Sequence, residues 1–513
     1  MLIDWLFAFS PLLLVLGLMI LFRWGAARAG PAGWFAAVAV AVLRFGAGRD
    51  LVAVSQAKGM LLALDVLMIV WAAFLLYRVA EEAGAVKVLG EALPSLTADR
   101  GMQALLIGWA FASFLQGVGG FGVPVVVTAP LLMGVGFEPL AAVVIPSLGH
   151  AWSVTFGSLA SSFQALIAST GLAGEGLAPA SALLLGITCF GCGYMALHAA
   201  DGWVGMKRLA LPVLVMGGGM AASQYALATS GLWNIAGFGG GLAGLMIGFV
   251  VARRHRGNPE RNNRVVDGRR VLLALSGYIA LIAITLGIQL VPAVKAFLGQ
   301  TVLEVPFPAL ETVRGFVTPA GMGPRIYPFR HAGAILTYAS AAAFLIYRRV
   351  GWLRWGSVPH ILAGTVRGVM SSSIGIASMV AMSVVMAHTG MTDVLAKGMA
   401  QAAGQFFPIV SPWIGALGAF VSGSNTNSNV LFAMLQLRTA ELLGMTVPII
   451  LAGQTAGGAV GSVMAPTKVV VGISAADASV EEGRVLSTLL RYNGILIAAM
   501  SLMLSFWILL AGG

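Results

Sequence analysis

Sixteen apolar runs follow one another between Trp5 and Ala511, separated only by short polar or glycine-rich joints, and this layout leaves few folds open. In hydrocarbon a backbone must satisfy every N–H and C=O internally, so such runs become membrane-crossing helices. Composition agrees: 58% of the 513 residues are hydrophobic and 10% are charged, where a soluble domain has about a quarter charged. A crossing takes roughly 20 apolar residues, which gives about ten to fourteen crossings plus shorter pieces that dip in and return. No stretch is left over for a soluble catalytic domain, so the expected class is an all-α polytopic membrane protein.

Two of the runs are unlike lipid-facing helices. Residues 114–136 begin Phe114-Leu-Gln-Gly-Val-Gly-Gly-Phe-Gly-Val-Pro124, residues 420–444 begin Phe420-Val-Ser-Gly-Ser-Asn-Thr-Asn-Ser-Asn429, and the two starts lie 306 residues apart in opposite halves. Irregular backbone at membrane depth survives only where protein buries it or a cavity wets it. A matched pair of such breaks therefore points to the binding site of a secondary transporter. Each break is followed by the same grammar. Gly136-Phe-Glu-Pro139 leads into the small-residue-rich stretch Ile145 to Ser162, and Gly444-Met-Thr-Val-Pro448 leads into Leu451 to Lys468, at an offset of 306 to 309 residues. The expected architecture is an internal duplication: two inverted repeats, with paired re-entrant helical hairpins and broken transmembrane helices. The domain organisation follows as an N-terminal transmembrane half (residues 1–252), a cytoplasmic arginine-rich loop (253–270) and a C-terminal transmembrane half (271–513).

A net charge of +11 could suggest nucleic acid, but seven of the arginines fall in the single joint Arg253 to Arg270. Between two apolar spans such a joint is a cytoplasmic topology signal, with anionic-lipid contact a compatible addition. The basic cluster Arg348 to Arg354 lies two crossings later and faces the same side. Residues 293–330, which carry five prolines, are placed outside, either as a loop or as a partly re-entrant cap. Trp5 to Phe22, with Asp4 before it and Arg23 and Arg28 after it, reads as an uncleaved anchor with its N-terminus outside. Cys189 and Cys192 sit one helical turn apart in an apolar run with no other soft ligand nearby, and read as packing residues. There is no Walker-type phosphate loop and no clustered His, Cys and carboxylate set, so neither a cofactor, a metal site nor enzyme chemistry is expected.

Ser422, Ser424, Asn425, Thr426, Asn427, Ser428 and Asn429 put seven polar side chains within eight residues of an apolar region. Each needs a partner in hydrocarbon, and coordination of a substrate or ion accounts for the run better than interhelical glue. A small anion suits such a place, because the N-termini of half-helices offer unpaired N–H groups and a positive dipole end. Lys468, just after Ala465-Pro-Thr, either snorkels or faces the central cavity as counter-charge to a carboxylate. His150 occupies the matching helix of the first copy, as a proton relay or as a satisfied structural histidine. Asp65, inside Met60 to Trp71, reads as an ion-coupling or helix-pairing group. Arg367 is a further intramembrane cation, readily explained by snorkelling.

The first broken segment with its following Leu-Leu-Met-Gly-Val-Gly-Phe-Glu-Pro-Leu, and Ser422-Gly-Ser-Asn-Thr-Asn-Ser-Asn-Val-Leu-Phe-Ala-Met-Leu-Gln436, resemble the lactate permease family. Asp201-Gly-Trp-Val-Gly205, Ala387-His-Thr-Gly390 and Ala332-Gly-Ala-Ile-Leu336 extend the resemblance over most of the chain, in family order. The resemblance implies uptake of lactate, glycolate and related 2-hydroxy monocarboxylates with protons through the bacterial inner membrane. It also implies the wider ion-transporter fold of inverted repeats with paired re-entrant hairpins. Gly117, Phe121, Gly122 and Pro124 match the first family motif; Gly423, Ser424, Thr426 and Asn429 match the second. Two positions depart from it: the family usually has Glu where this chain has Gln116, and Asp where it has Asn425. Losing both carboxylates makes the cavity more anion-friendly and moves any proton to another group.

The expected function is thus a multi-pass inner-membrane permease that imports lactate or a related small carboxylate by proton symport. Other small organic anions (another carboxylate or a sulfonate), sodium coupling and an uncoupled channel are the alternatives. Gln116, Gly117, Gly119, Gly120, Phe121, Gly122, Ser422, Gly423, Ser424, Asn425, Thr426, Asn427, Asn429 and Lys468 are expected to line the substrate site, with His150 and Asp65 serving ion coupling. The expected partners are the anion, the proton and the lipid bilayer, but not nucleic acid, and a homo-oligomer stays open.

Overall fold

Left with only its own backbone partners, the chain folds almost entirely into helices. The computed structural model describes residues 2–22, 24–119, 122–254, 267–476 and 481–510. Among them, twelve helices are long and apolar enough to cross a membrane. Within the arginine-rich joint, residues 255–266 lie outside the described residues. The connection after Pro292–Leu298 is a small cap built from two ribbons: Pro306–Phe307 pairs with Gly321–Met322, and Leu310–Glu311 pairs with Val317–Thr318.

Burial separates inner from outer helices. The most apolar window of Leu2–Ile20 is 28% buried, whereas that of Arg100–Val118 is 100% buried and that of Pro139–Thr170 89% buried. Leu502, Phe506 and Leu509 of Glu482–Leu510 are exposed along one side, as a lipid-facing stripe requires. The segments that carry the two breaks are therefore the core of the molecule. They share one hydrophobic cluster that joins Leu105, Ile145 and Phe163 to Ala416, Ile450 and Val463.

In the first copy, Arg100–Val118 runs in with π-type winding over Ala104–Phe111, the chain breaks at Gly119 and Gly122, and Val123–Gly134 runs back. After a turn at Gly136 comes Pro139–His150, then an irregular stretch, then the short helix Ser161–Thr170. In the second copy, Phe407–Ser422 runs in, Gly423 breaks it with φ +72°, and Asn425–Leu442 returns. Val447–Val463 and Pro466–Ala475 follow, bent by 41° at Met464 and Ala465. The return is antiparallel: Ser428 Oγ donates to Gly415 O at 2.7 Å, and Gln436 Nε2 donates to Ser411 O at 3.1 Å.

The same close crossing appears in both copies. A Cβ on Gly149 would collide with the carbonyl of Gly108, and one on Gly457 with the carbonyl of Pro412. These pairs sit 308 and 304 residues apart (457 minus 149 and 412 minus 108). Glycine is used there because backbone meets backbone, with no room for a side chain. Element order and the glycine-to-carbonyl crossing are thus alike after the two breaks.

Candidate functional site

Three consecutive non-glycine residues, Ser158, Leu159 and Ala160, hold φ values of +46°, +54° and +64° between Pro139–His150 and Ser161–Thr170. L-residues adopt this left-handed region at a cost of about 1–2 kcal/mol each. Such strain persists only where the surroundings over-determine it, and it concentrates at working sites. This strained link carries Thr155 and Ser162 into the middle of the molecule, where they meet the polar run of the second copy.

The junction is a closed network. Asn425 Nδ2 donates to Thr155 Oγ1 and to the Thr455 carbonyl, each at 3.1 Å, and Thr155 Oγ1 donates to the same carbonyl at 3.1 Å. Asn429 Nδ2 donates to Ser162 O and to Thr455 Oγ1, each at 2.9 Å. Ser162 Oγ and Thr426 Oγ1 are 3.1 Å apart. Behind them, Gln454 donates to Ser428 and pairs with Gln436, which accepts from Ser411 Oγ at 2.5 Å. All of these side chains are buried. Inside protein such bonds are strong, and an unmade one is correspondingly costly.

Four buried polar atoms here have no partner among the described residues: Gln116 Oε1, His150 Nε2, Asn425 Oδ1 and Asn427 Oδ1. Buried polar groups are normally bonded, so each of the four calls for a ligand, ion or water to complete it. All four belong to residues that the sequence marks out. Gln116 borders the strained link, since a Cβ on Gly157 would come within 2.7 Å of its Nε2. His150 Nδ1 donates to Pro146 O at 2.6 Å, which leaves the lone pair of the neutral ring on Nε2.

Lys468 lies beside both hairpin tips. Its helix start packs on Gly423, where a Cβ would sit 2.8 Å from Thr467 Oγ1, and Val471 of the same helix faces Gly122. The ammonium donates to Ser462 Oγ at 3.3 Å and is close enough to His150 to interact with it electrostatically. No carboxylate pairs with it among the described residues, which leaves a cation at a junction otherwise built from neutral polar groups. Gly117 and Gly119 serve packing, against the Phe238 backbone and the Tyr77 ring. Ser422 spends its hydroxyl locally on Gly418 O and Ser424 O, and Ser424 caps the return helix through Asn427 N. Gly120 and Phe121 lie outside the described residues.

Asp65 is not in this junction. Its carboxylate accepts from Gln164 Nε2 at 2.6 Å and pairs with His331 Nε2 at 3.0 Å. Gln164 nevertheless follows Ser162 by two positions in the same short helix, so one rigid element joins the two sites. Arg367 is exposed and donates to Ala363 O. Thr155, Ser162, Thr455 and Gln454 are the residues that sequence reading missed; Thr155 lies in the irregular link and the others in helices of small and apolar residues, with only their position opposite the Asn run to mark them.

A family model described as L-lactate permease matches residues 4–511. The chain belongs to the L-lactate permease family. Among known relatives, the L-lactate permease of Salmonella typhimurium is 26% identical over 86% of this chain and 84% of its own length. The glycolate permease GlcA of Escherichia coli is 26% identical over 85% of this chain and 84% of its own. Among solved structures, the YdaH transporter of Alcanivorax borkumensis aligns with 89% of this chain and 88% of its own at 15% identity and a TM-score of 0.49. This permease is a multi-pass inner-membrane transporter and not an enzyme.

Proposed function

We propose that this permease imports lactate or a similar small 2-hydroxy monocarboxylate by proton symport, binding it at the junction of the two breaks. The observation that carries the reading is the buried polar network that joins the two breaks, with orphaned acceptors on Gln116, Asn425 and Asn427 and an unpaired Lys468 near His150. Lys468 and the N-terminal turns of Asn425–Leu442 and Pro466–Ala475 suit a carboxylate, through charge and through free N–H groups. The acceptor oxygens of Gln116, Asn425 and Asn427 suit the 2-hydroxyl, which donates. Lactate and glycolate are named for the relatives above, and both are 2-hydroxy acids.

With amides at 116 and 425, the proton needs another carrier. Asp65, held by His331 and Gln164 and joined to the junction through Ser161–Thr170, takes that part, with His150 as the proton-accepting group at the junction itself. Counterflow of labelled lactate in proteoliposomes tests this: exchange should saturate, accelerate with an inward proton gradient and ignore sodium. No lactate exchange under any gradient would overturn the reading. The same amides favour one second reading, an uncoupled facilitator, which would never accumulate lactate against its gradient.

We further propose that the two copies are inverted across the membrane. The turn at residues 136–138 then faces one side and the turn at 444–446 the other. Single cysteines at Glu138 and Thr446 should react with a membrane-impermeant thiol reagent from opposite sides, and labelling of both from one side would refute the inversion.

A further inference from the structure

Away from the junction, a cavity of about 390 Å³ opens between Arg49–Glu82, the end of Ser161–Thr170, Val358–His388 and the cap. Four titratable groups line it: Lys58, Asp65, Arg325 and His388. Their partners differ. Asp65 is engaged by His331 and Gln164, and Arg325 is paired with Glu304 at 2.8 Å. Lys58 has no carboxylate partner among the described residues. Its ammonium donates to His388 Nε2 at 3.5 Å, the opposite imidazole nitrogen lies 2.9 Å from Ser55 Oγ, and the Phe307 ring of the cap is 5.9 Å away.

A half-buried lysine within a membrane-spanning helix is expensive unless it serves a wet cavity or an anion. Two turns of helix, about 10 Å of axial rise, separate it from Asp65, whose carboxylate is held by His331 and Gln164 rather than by this lysine. The cap holds the roof in place: Thr318 Oγ1 donates to His388 O at 3.2 Å, and Met322, Gly323 and Pro324 close one wall. At the other end, Gln164 stands two residues from Ser162 of the junction. Low-dielectric walls strengthen the pull of an ammonium that no carboxylate contacts among the described residues, so an anion entering the cavity is drawn to Lys58.

We propose that this cavity is a carboxylate-binding vestibule in which Lys58 captures a small monocarboxylate before it passes to the junction. The anion site stands on the geometry alone; only the identity of its ligand rests on the proposed transport function.

The test uses a cysteine in place of Ser383, a lining residue, in the full-length protein in nanodiscs; the native Cys189 and Cys192 are buried. Two methanethiosulfonate reagents of similar size, one anionic and one cationic, are compared. The anionic reagent should react several-fold faster, and Lys58→Gln should remove most of that preference while Lys58→Arg keeps it. Lactate and glycolate should protect the cysteine with Lys58 present. A preference that survives Lys58→Gln would overturn the vestibule. A preference that depends on Lys58, without protection by lactate or glycolate, would support the anion site and count against the proposed substrate. In proteoliposomes Lys58→Gln should raise KM for lactate about tenfold with little change in kcat, as loss of capture rather than of the translocation step predicts. An unchanged KM would overturn the vestibule as a station on the path.

Discussion

Asn425 is the residue on which most of the junction turns, because its amide nitrogen ties the strained link of the first copy to Thr455 of the second while its oxygen is left free. Replacing it by Ala removes the donations to Thr155 Oγ1 and to the Thr455 carbonyl, a loss of about 1–3 kcal/mol. Uptake should vanish while the protein still inserts and elutes as a single species; unchanged uptake would remove this residue from the mechanism. Asn425→Asp separates charge from shape. The carboxylate would face the Thr455 carbonyl without a proton to donate, so uptake should fall at neutral pH. It should recover as the pH is lowered and the acid regains a donor, and a flat pH profile would contradict this account. Part of the junction was legible at this scale and part was not. Seven polar residues in eight positions cannot be lipid-facing, which is why the Asn run stands out in the sequence. Thr155 and Thr455 are single threonines in stretches of small and apolar residues, where a threonine can satisfy itself on its own backbone, so nothing local marks them. The partnership of Asp65 with His331 spans 266 positions, a pairing that only the fold creates.

Among the elements, the inbound helices and the broken spans behind them carry the architecture, and glycine sets how closely they approach. Gly457→Ala would drive a methyl into the Pro412 carbonyl, and Gly149→Ala into that of Gly108. Overpacking of this kind costs about 1–3 kcal/mol, so each variant should lower the apparent melting temperature. Gly218→Ala, on Ala210–Thr229 with open space around it, should be neutral or raise stability by up to about 1 kcal/mol. Equal melting of all three variants would mean that the crossing is looser than described. The strained link calls for the opposite experiment. Ser158 has φ +46°, and its hydroxyl makes no hydrogen bond among the described residues. Ser158→Gly should therefore stabilise by about 1 kcal/mol through relief of strain, partly offset by a freer unfolded chain. Its turnover should fall, because the link would no longer fix Thr155 and Ser162; a variant no more stable than the parent would argue against stored strain. Both hairpin breaks could be read from clustered glycine and asparagine. The link at 158–160 could not, since Ser-Leu-Ala has no sequence signature for a left-handed backbone and the run around it reads as an ordinary apolar helix.

For the molecule as a whole, the two copies share one core while the outer helices and the cap surround it, so any passage of substrate must open the contacts between copies. Beside that apolar core, the polar contacts between copies are Thr155 with Asn425 and Thr455, Asn429 with Ser162, and Ser162 with Thr426. Hydrogen bonds of this kind contribute about 1 kcal/mol each, net, which a substrate can match by replacing them. On the proposed function the junction is the interface that moves, and the backbone-tight crossings hold each copy together. Ser162 and Thr426, with hydroxyls 3.1 Å apart, are close enough for a disulfide once both are changed to Cys. Because Cys189 and Cys192 are buried, oxidation should link the introduced pair cleanly. The oxidised double variant should bind lactate or be silent, but should not transport it, and reduction should restore uptake to the level of the reduced control. Full uptake with the cross-link complete would show that the copies do not separate at Ser162 and Thr426, and transport would then have to proceed with the junction closed.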